Sequence, residues 1–421
     1  MRPEIIKSNA PAPLANYSEA YRVGHLVFTA GQVANDYVTG IPDEARVDPR
    51  FPYYGSEIKR QTRYIMENMK RTLAAAGSTL ANVVKAQVFM MDMRDFADFD
   101  EVWTGYFGDA PPPRTTVGTT GLLGSGPKQR IEIELIAHTD DVDHEVIISG
   151  NPRPIANYSE AACVGNLVFT AGQLANDFDS GVPAEARVNP SFPYYGSDIK
   201  LQTRFILESY ERTLAAADSA LGNVVKAQVF LRNLADFNEF DEVWKEYFGD
   251  YVPPRTTIAT TDLLGSGPDQ LVEIDLTAHT NGTAKRVINS ANPRPLEHYS
   301  EAVVVDGLAF AAGQVASDFT TGVAPEARRN GAFPYYGSDI KLQTSYILDN
   351  LTRTFEGAGS SLHQSFKAQV FLTDLTQFSG FDEVWRAKFG DRLPARTTVG
   401  TTGLLVKDTL VEVDLIAAVD D

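Results

Sequence analysis

Pro113-Arg114-Thr115-Thr116, followed after a turn by Ile131-Glu132-Ile133-Glu134-Leu135, decides how this chain is read. The pair returns as Pro254-Arg255-Thr256-Thr257 with Val272-Glu273-Ile274-Asp275-Leu276, and again as Ala395-Arg396-Thr397-Thr398 with Val411-Glu412-Val413-Asp414-Leu415. The arginines stand 141 residues apart in both intervals. In the acidic strand, apolar residues alternate with acids, so one face is apolar and the other carries carboxylates. A cation and a carboxylate set among apolar and threonine residues are rarely buried without partners. Two readings stay open: a ligand site, or a structural ion pair between repeats.

The same spacing governs the rest of the chain. Tyr-Ser-Glu-Ala begins at Tyr17, Tyr158 and Tyr299, Ala-Gly-Gln at Ala30, Ala171 and Ala312, and Phe-Pro-Tyr-Tyr-Gly-Ser at Phe51, Phe192 and Phe333. Lys-Ala-Gln-Val-Phe starts at Lys85, Lys226 and Lys367, and Phe-Asp-Glu-Val-Trp at Phe99, Phe240 and Phe381. Such a period is too long for a solenoid unit and has the size of a domain. We therefore divide the chain into three tandem domains, 1–143, 144–284 and 285–421.

Within one unit, residues 18–23 and 26–29 predict a strand pair, and 35–54 a long polar segment rich in turn formers. Ser56 is placed to cap a helix reaching about Ala76, with Gly77 as its C-terminal stop. Residues 83–91 predict a central strand and Phe96 to Phe107 a second helix. The order β-β-α-β-α-β-β describes an α+β two-layer domain with both helices on one face of the sheet. The bare sheet faces can then meet around a pseudo-threefold axis. Joints of about ten residues reach roughly 30 Å, enough to pass between neighbours.

Composition narrows the function. The net charge of −18 opposes binding to nucleic acid and to anionic membrane. No apolar run approaches the ~18 residues of a membrane span, and the first residues carry no secretory signal pattern. One cysteine, Cys163, gives no intrachain disulfide and suits a cytoplasmic location. The six histidines lack ligand spacing, so no metal site is expected. Gly124-Ser125-Gly126 is a turn without the lysine of a phosphate loop. Lys85, Lys226 and Lys367 read as exposed or salt-bridged residues rather than Schiff-base formers, and Trp103, Trp244 and Trp385 as core. The tyrosine pairs Tyr53-Tyr54, Tyr194-Tyr195 and Tyr335-Tyr336 pack under their loop or form an aromatic wall to a cleft.

These motifs, in this order and three times over, resemble the reactive intermediate deaminase (RidA, YjgF-type) family across essentially the whole chain. The resemblance implies three chorismate-mutase-like domains fused into a pseudotrimer with the sheets facing the centre, a monomer in place of a homotrimer. It also implies ligand sites in the clefts between repeats. The implied activity is hydrolysis of carboxylate-bearing imines or enamines to keto compounds and ammonia, with no cofactor. An aminated aromatic ring-cleavage product is one candidate substrate. By the same resemblance Arg114, Arg255 and Arg396 bind the substrate carboxylate, and Glu132, Glu273 and Glu412 orient and activate water. Tyr17, Tyr158 and Tyr299, Gly31, Gly172 and Gly313, and Thr116, Thr257 and Thr398 line the cleft. Two positions depart from the family pattern: Glu19, Glu160 and Glu301 replace a common glutamine, and the three threonines replace a common cysteine. The alternative is a non-catalytic module that holds small carboxylates or contacts protein partners. A ribonuclease, proposed for some relatives, is disfavoured by the charge. Divergence of the clefts is expected too, since Asp262 stands where the other repeats have Gly121 and Gly403.

Overall fold

The computed structural model describes residues 2–265, 267–296 and 298–419. In the first repeat the order is β1 (Glu4–Ile6), β2 (Ala20–Val23), β3 (Leu26–Thr29), β4 (Gln32–Val33), α1 (Glu57–Ala75), β5 (Val83–Met90), α2 (Phe96–Phe107), β6 (Arg114–Gly118) and β7 (Ile131–His138). The main sheet runs β1-β2-β3-β7-β5-β6, with β4 also pairing with β7. Only β5 and β6 are parallel, Ala86 facing Arg114. The predicted β-β-α-β-α-β-β order is present with two additions, the edge strand β1 and the short β4. In the second and third repeats the edge strand is built from the joint itself, as Glu145–Ile147 and Lys285–Ile288.

Local sequence explains the helices. Ser56 accepts a hydrogen bond from the Lys59 amide at 3.4 Å, and Gly77 takes φ 74° just beyond the end of α1. The apolar stripe Ile58, Ile65, Met69 and Leu73 packs with Phe99 and Trp103 of α2 against Ile131, Ile133 and Leu135. Each repeat has such a core between helices and sheet.

The other sheet faces meet at the centre. Phe28, Phe169 and Phe310 share one cluster drawn from all three repeats, and Phe89, Phe230 and Phe371 share a second. Thr119 Oγ1 donates to the Gly400 carbonyl at 2.7 Å, Thr260 to Gly118 at 2.5 Å, and Thr401 to Ala259 at 2.6 Å, closing a ring of equivalent bonds. This is the pseudo-threefold arrangement.

The three lysines are not exposed. A β-bulge shifts the register between Val83 and Lys85, so that Val84 and Lys85 both turn to the centre. Lys85 Nζ reaches Asp275 and the Thr170 carbonyl of the next repeat. Lys226 meets Asp414 at 2.6 Å, and Lys367 meets Glu134 at 2.7 Å. The second acid of each acidic strand thus serves a buried inter-repeat ion pair. The tyrosine pairs follow neither expectation: Tyr53 is 95% and Tyr54 87% exposed, and their counterparts are equally bare.

Candidate functional site

The three clefts form where β6 of one repeat, or its equivalent, faces the Tyr-Ser-Glu-Ala and Ala-Gly-Gln segments of the next. Parallel bridges join Pro113 to Ser159 and Ala395 to Ser18, and the Gly313 amide donates to the Arg255 carbonyl at 3.2 Å. Each cleft therefore draws its arginine and threonine from one repeat, and its tyrosine, glycine and glutamate from another. Arg114 and Thr116 face Tyr158, Gly172 and Glu273; Arg396 and Thr398 face Tyr17, Gly31 and Glu132. In the remaining cleft Gly313, joined to Arg255 through its amide, sits against Glu412. The predicted site residues are brought together.

Each arginine ion-pairs with an aspartate of its own repeat, and in the clefts of Arg114 and Arg396 this replaces the inter-repeat Arg–Glu ion pair as a reading. Arg114 Nη2 donates to Asp100 Oδ1 at 2.7 Å and Arg396 Nη2 to Asp382 Oδ1 at 2.7 Å, while Arg255 Nη2 forms an ion pair with Asp241 Oδ1 at 2.8 Å. Those aspartates come from the Phe-Asp-Glu-Val-Trp helix of the same repeat. The guanidinium of Arg114 also lies 5.0 Å from the Phe99 and Trp103 ring centroids and 5.6 Å from Tyr158. Aromatic faces stabilise the cation that burial would otherwise disfavour. The tryptophans are core, as expected, and wall the arginine as well.

Several buried polar atoms here have no protein partner: Nε of Arg114 and Arg396, Oγ1 of Thr116 and Thr398, and Oε2 of Glu273. Unsatisfied donors and acceptors cost about 1–3 kcal/mol each and call for an explanation. Burial, then the neighbouring acid, raises the Glu132 and Glu273 carboxyls to about 8. Burial likewise pushes the Tyr158 hydroxyl up and opposes the charge on Arg114, whose ion pair with Asp100 holds it.

Gly31, Gly172 and Gly313 sit against the glutamates. A Cβ on Gly31 would strike Glu132 Oε1 and lie 2.8 Å from Thr397 Oγ1; one on Gly172 would strike Glu273 and one on Gly313 Glu412. Only glycine lets the backbone approach that closely. The glutamates that replace the family's glutamine hold the segment that follows each edge strand: Ser8 and Thr72 donate to Glu19, while Ser149 and Ser290 donate to Glu160 and Glu301 at 2.5 Å. Asp262 does not oppose the arginines, because Arg232 binds it at 2.6 Å. A narrow cavity of about 20 Å³ lies between Pro11, Pro13, Tyr17, Gly31 and Tyr37. That is room for about one water.

Two groups of site residues escaped sequence reasoning. Asp100, Asp241 and Asp382 have a signal as the first of two acids kept inside an aromatic helix motif, 14 residues before each arginine. Tyr37, Phe178 and Phe319 were hidden in the polar segment; their backbones take φ 59°, 63° and 53°. The repeated Asp-aromatic-x-Thr/Ser-Gly pattern was their only signal.

Among the described residues no group of His, Cys, Asp or Glu could hold a metal ion, and no helix is long and apolar enough to cross a membrane.

Comparison with known proteins places the chain in a family. The endoribonuclease L-PSP family model matches residues 7–139, 149–280 and 289–419. A RutC family protein of Pyrococcus horikoshii, PH0854, is 39% identical over 141 residues, covering 33% of this chain and 100% of that protein. Protein HMF1 of Saccharomyces cerevisiae is 34% identical over 138 residues, covering 32% and 95%. A chorismatase crystal structure shares the fold over 80% of this chain and 93% of its own, with a TM-score of 0.50 at 14% identity. The chain belongs to the endoribonuclease L-PSP family, the reactive intermediate deaminases, and carries three copies of its domain in tandem.

Proposed function

We propose that this protein hydrolyses carboxylate-bearing imines or enamines to keto compounds and ammonia in the clefts between its repeats. The observation that carries this reading is the set of buried, unpartnered polar atoms in two of the clefts: Nε of Arg114 and Arg396 and Oγ1 of Thr116 and Thr398 as donors, and Oε2 of Glu273 as acceptor. The substrate carboxylate takes the arginine Nε, with the threonine hydroxyl as a second donor. The Asp100-type aspartate fixes the guanidinium plane for that contact.

The glutamate supplies the chemistry. Water adds to the carbon of the protonated C=N group while the carboxylate takes its proton, giving a neutral carbinolamine. The carboxyl returns that proton to nitrogen; as the C–N bond breaks, the carboxylate takes the hydroxyl proton, and ammonia and the keto compound leave. A carboxyl raised to about 8 exchanges protons near neutral pH, as both half-steps require. No cofactor enters. Substrate entry requires the lining at Pro11 and Pro13 to move, since the cavity there holds about one water.

Nucleic-acid cleavage fits poorly: the net charge is −18 and the candidate groups are deeply buried. A non-catalytic carboxylate-binding module would use the same donors but would not need the glutamate to titrate. Ammonia release from freshly generated imino acids and aminomuconate-type enamines, against buffer, separates the two. Faster release supports the enzyme; carboxylate binding without it supports the binding module. We read the fused chain as a monomer that replaces the family's trimer, with small carboxylates rather than nucleic acid or membrane as its partners.

A further inference from the structure

The three clefts differ at one aromatic position. Tyr37, Phe178 and Phe319 stand at the same place in the three repeats, each in the left-handed region. A bulky residue there is strained and persists only where its surroundings impose it. The surroundings do so. The Tyr37 amide donates to Asn35 Oδ1 at 2.6 Å, the Phe178 amide to Asn176 at 2.7 Å and the Phe319 amide to Ser317 at 2.9 Å. Asp36 then caps the turn, accepting from the amides of Val38, Thr39 and Gly40. All three repeats keep an aromatic ring in the costly conformation, and the first alone gives it a hydroxyl.

That hydroxyl is placed where a ligand would find it. Tyr37 Oη lies 3.0 Å from Tyr17 Oη, and the Tyr17 ring lies 5.6 Å from the Arg396 guanidinium. Both tyrosines line the narrow cavity beside Gly31. Two hydroxyls joined by one hydrogen bond keep one O–H hydrogen and several lone pairs to offer. Burial raises both hydroxyls, Tyr37 to about 12, so both stay protonated across the neutral range and one O–H remains to donate.

We propose that the cleft between the third and first repeats is specialised for imine or enamine carboxylates bearing a distal hydroxyl or carbonyl oxygen, which Tyr37 recognises together with Tyr17. The other two clefts place a phenyl ring at this position and accept unsubstituted apolar tails. This inference rests on the deaminase reading of the same clefts and adds a substrate class to one of them. A site built to hydrogen-bond a substrate oxygen discriminates far better than an apolar wall does.

The test compares phenylpyruvate with 4-hydroxyphenylpyruvate, the keto-acid products of two imines that differ by one hydroxyl. Titration calorimetry of the full chain should show one site that binds the hydroxylated acid roughly tenfold more tightly than the other. Tyr37→Phe should abolish that difference; the same backbone already holds Phe178 and Phe319, so folding is not at stake. The converse Phe178→Tyr should create a second site of the tight class. Equal affinities in the wild type, or a preference that survives Tyr37→Phe, overturn the inference. If ammonia release from both imines persists in that case, the deaminase reading stands and this inference alone falls. If neither imine is hydrolysed faster than in buffer and neither acid binds, both fall.

Discussion

Arg114 and Asp100 meet at 2.7 Å, Nη2 to Oδ1, within one repeat, while Glu273, the acid facing that arginine across the cleft, belongs to the next. The aspartate thus orients the cation and leaves the glutamate without an ion-pair partner in the site. Asp100→Asn should keep the shape but remove the charge. Asp100 is partly exposed, so we expect a loss of about 1–3 kcal/mol in urea unfolding, short of the cost of breaking a fully buried pair. Efficiency in that cleft should drop roughly tenfold, seen mainly as a raised KM for carboxylate substrates. An unchanged KM would remove Asp100 as a positioning residue.

Glycine at position 31 is predicted to be irreplaceable on steric grounds alone. Gly31→Ala forces Glu132 or Thr397 to move and should cost about 1–3 kcal/mol as an overpacked contact. It should silence the cleft between the third and first repeats. Gly77→Ala offers a control of another kind: nothing lies near its added methyl, and any loss comes from its φ of 74°. Thermal denaturation with ammonia-release assays of both variants checks this, and a fully active Gly31→Ala would contradict it.

The raised carboxyls make stability depend on pH with a definite sign. Glu132 and Glu273 move from 4.5 to about 8 on folding, so between these values the folded state holds protons that the unfolded state releases. Their contribution therefore falls as pH rises through that window, by up to about 1.4 kcal/mol per unit for each group. Glu273→Gln removes its share. Its melting temperature relative to wild type should be level near pH 4 and climb steadily to pH 8. A difference independent of pH would show that the carboxyl titrates normally.

Much of this was legible in the sequence, because a 141-residue period exposes each motif three times. The helix from Ser56 to Gly77 and the helix Phe96–Phe107 follow from caps and apolar spacing alone. Of the two readings of the lysines the salt-bridged one holds, but their burial was not legible, because the bulge that turns Lys85 inward leaves no mark in a strand of apolar residues. Burial of Glu132 and Glu134 was equally hidden: alternation puts acids on one face but does not say that another repeat covers it. Tyr37 was missed because a left-handed backbone at an aromatic residue is a property of coordinates.

The central ion pairs predict a strong asymmetry between single and double replacements. Lys226 and Asp414 lie 2.6 Å apart and almost wholly buried. Lys226→Met alone strands a buried carboxylate and should cost about 3–5 kcal/mol. Adding Asp414→Leu should recover most of that loss, since an apolar pair of similar volume avoids desolvating two charges. A double-mutant cycle in urea measures it; additive losses would mean the pair is not coupled.

The central claim is that the inter-repeat glutamates turn over imines. The most direct measurement is ammonia release from a freshly generated imino acid by wild type and by the Glu132→Gln, Glu273→Gln, Glu412→Gln triple variant, with circular dichroism to establish that both are folded. We expect the wild type to outpace buffer clearly and the triple variant to lose roughly a hundredfold or more in turnover while still binding the keto-acid product, because the amide cannot take a proton. A folded triple variant that turns over at the wild-type rate, or a wild type no faster than buffer, would contradict the account.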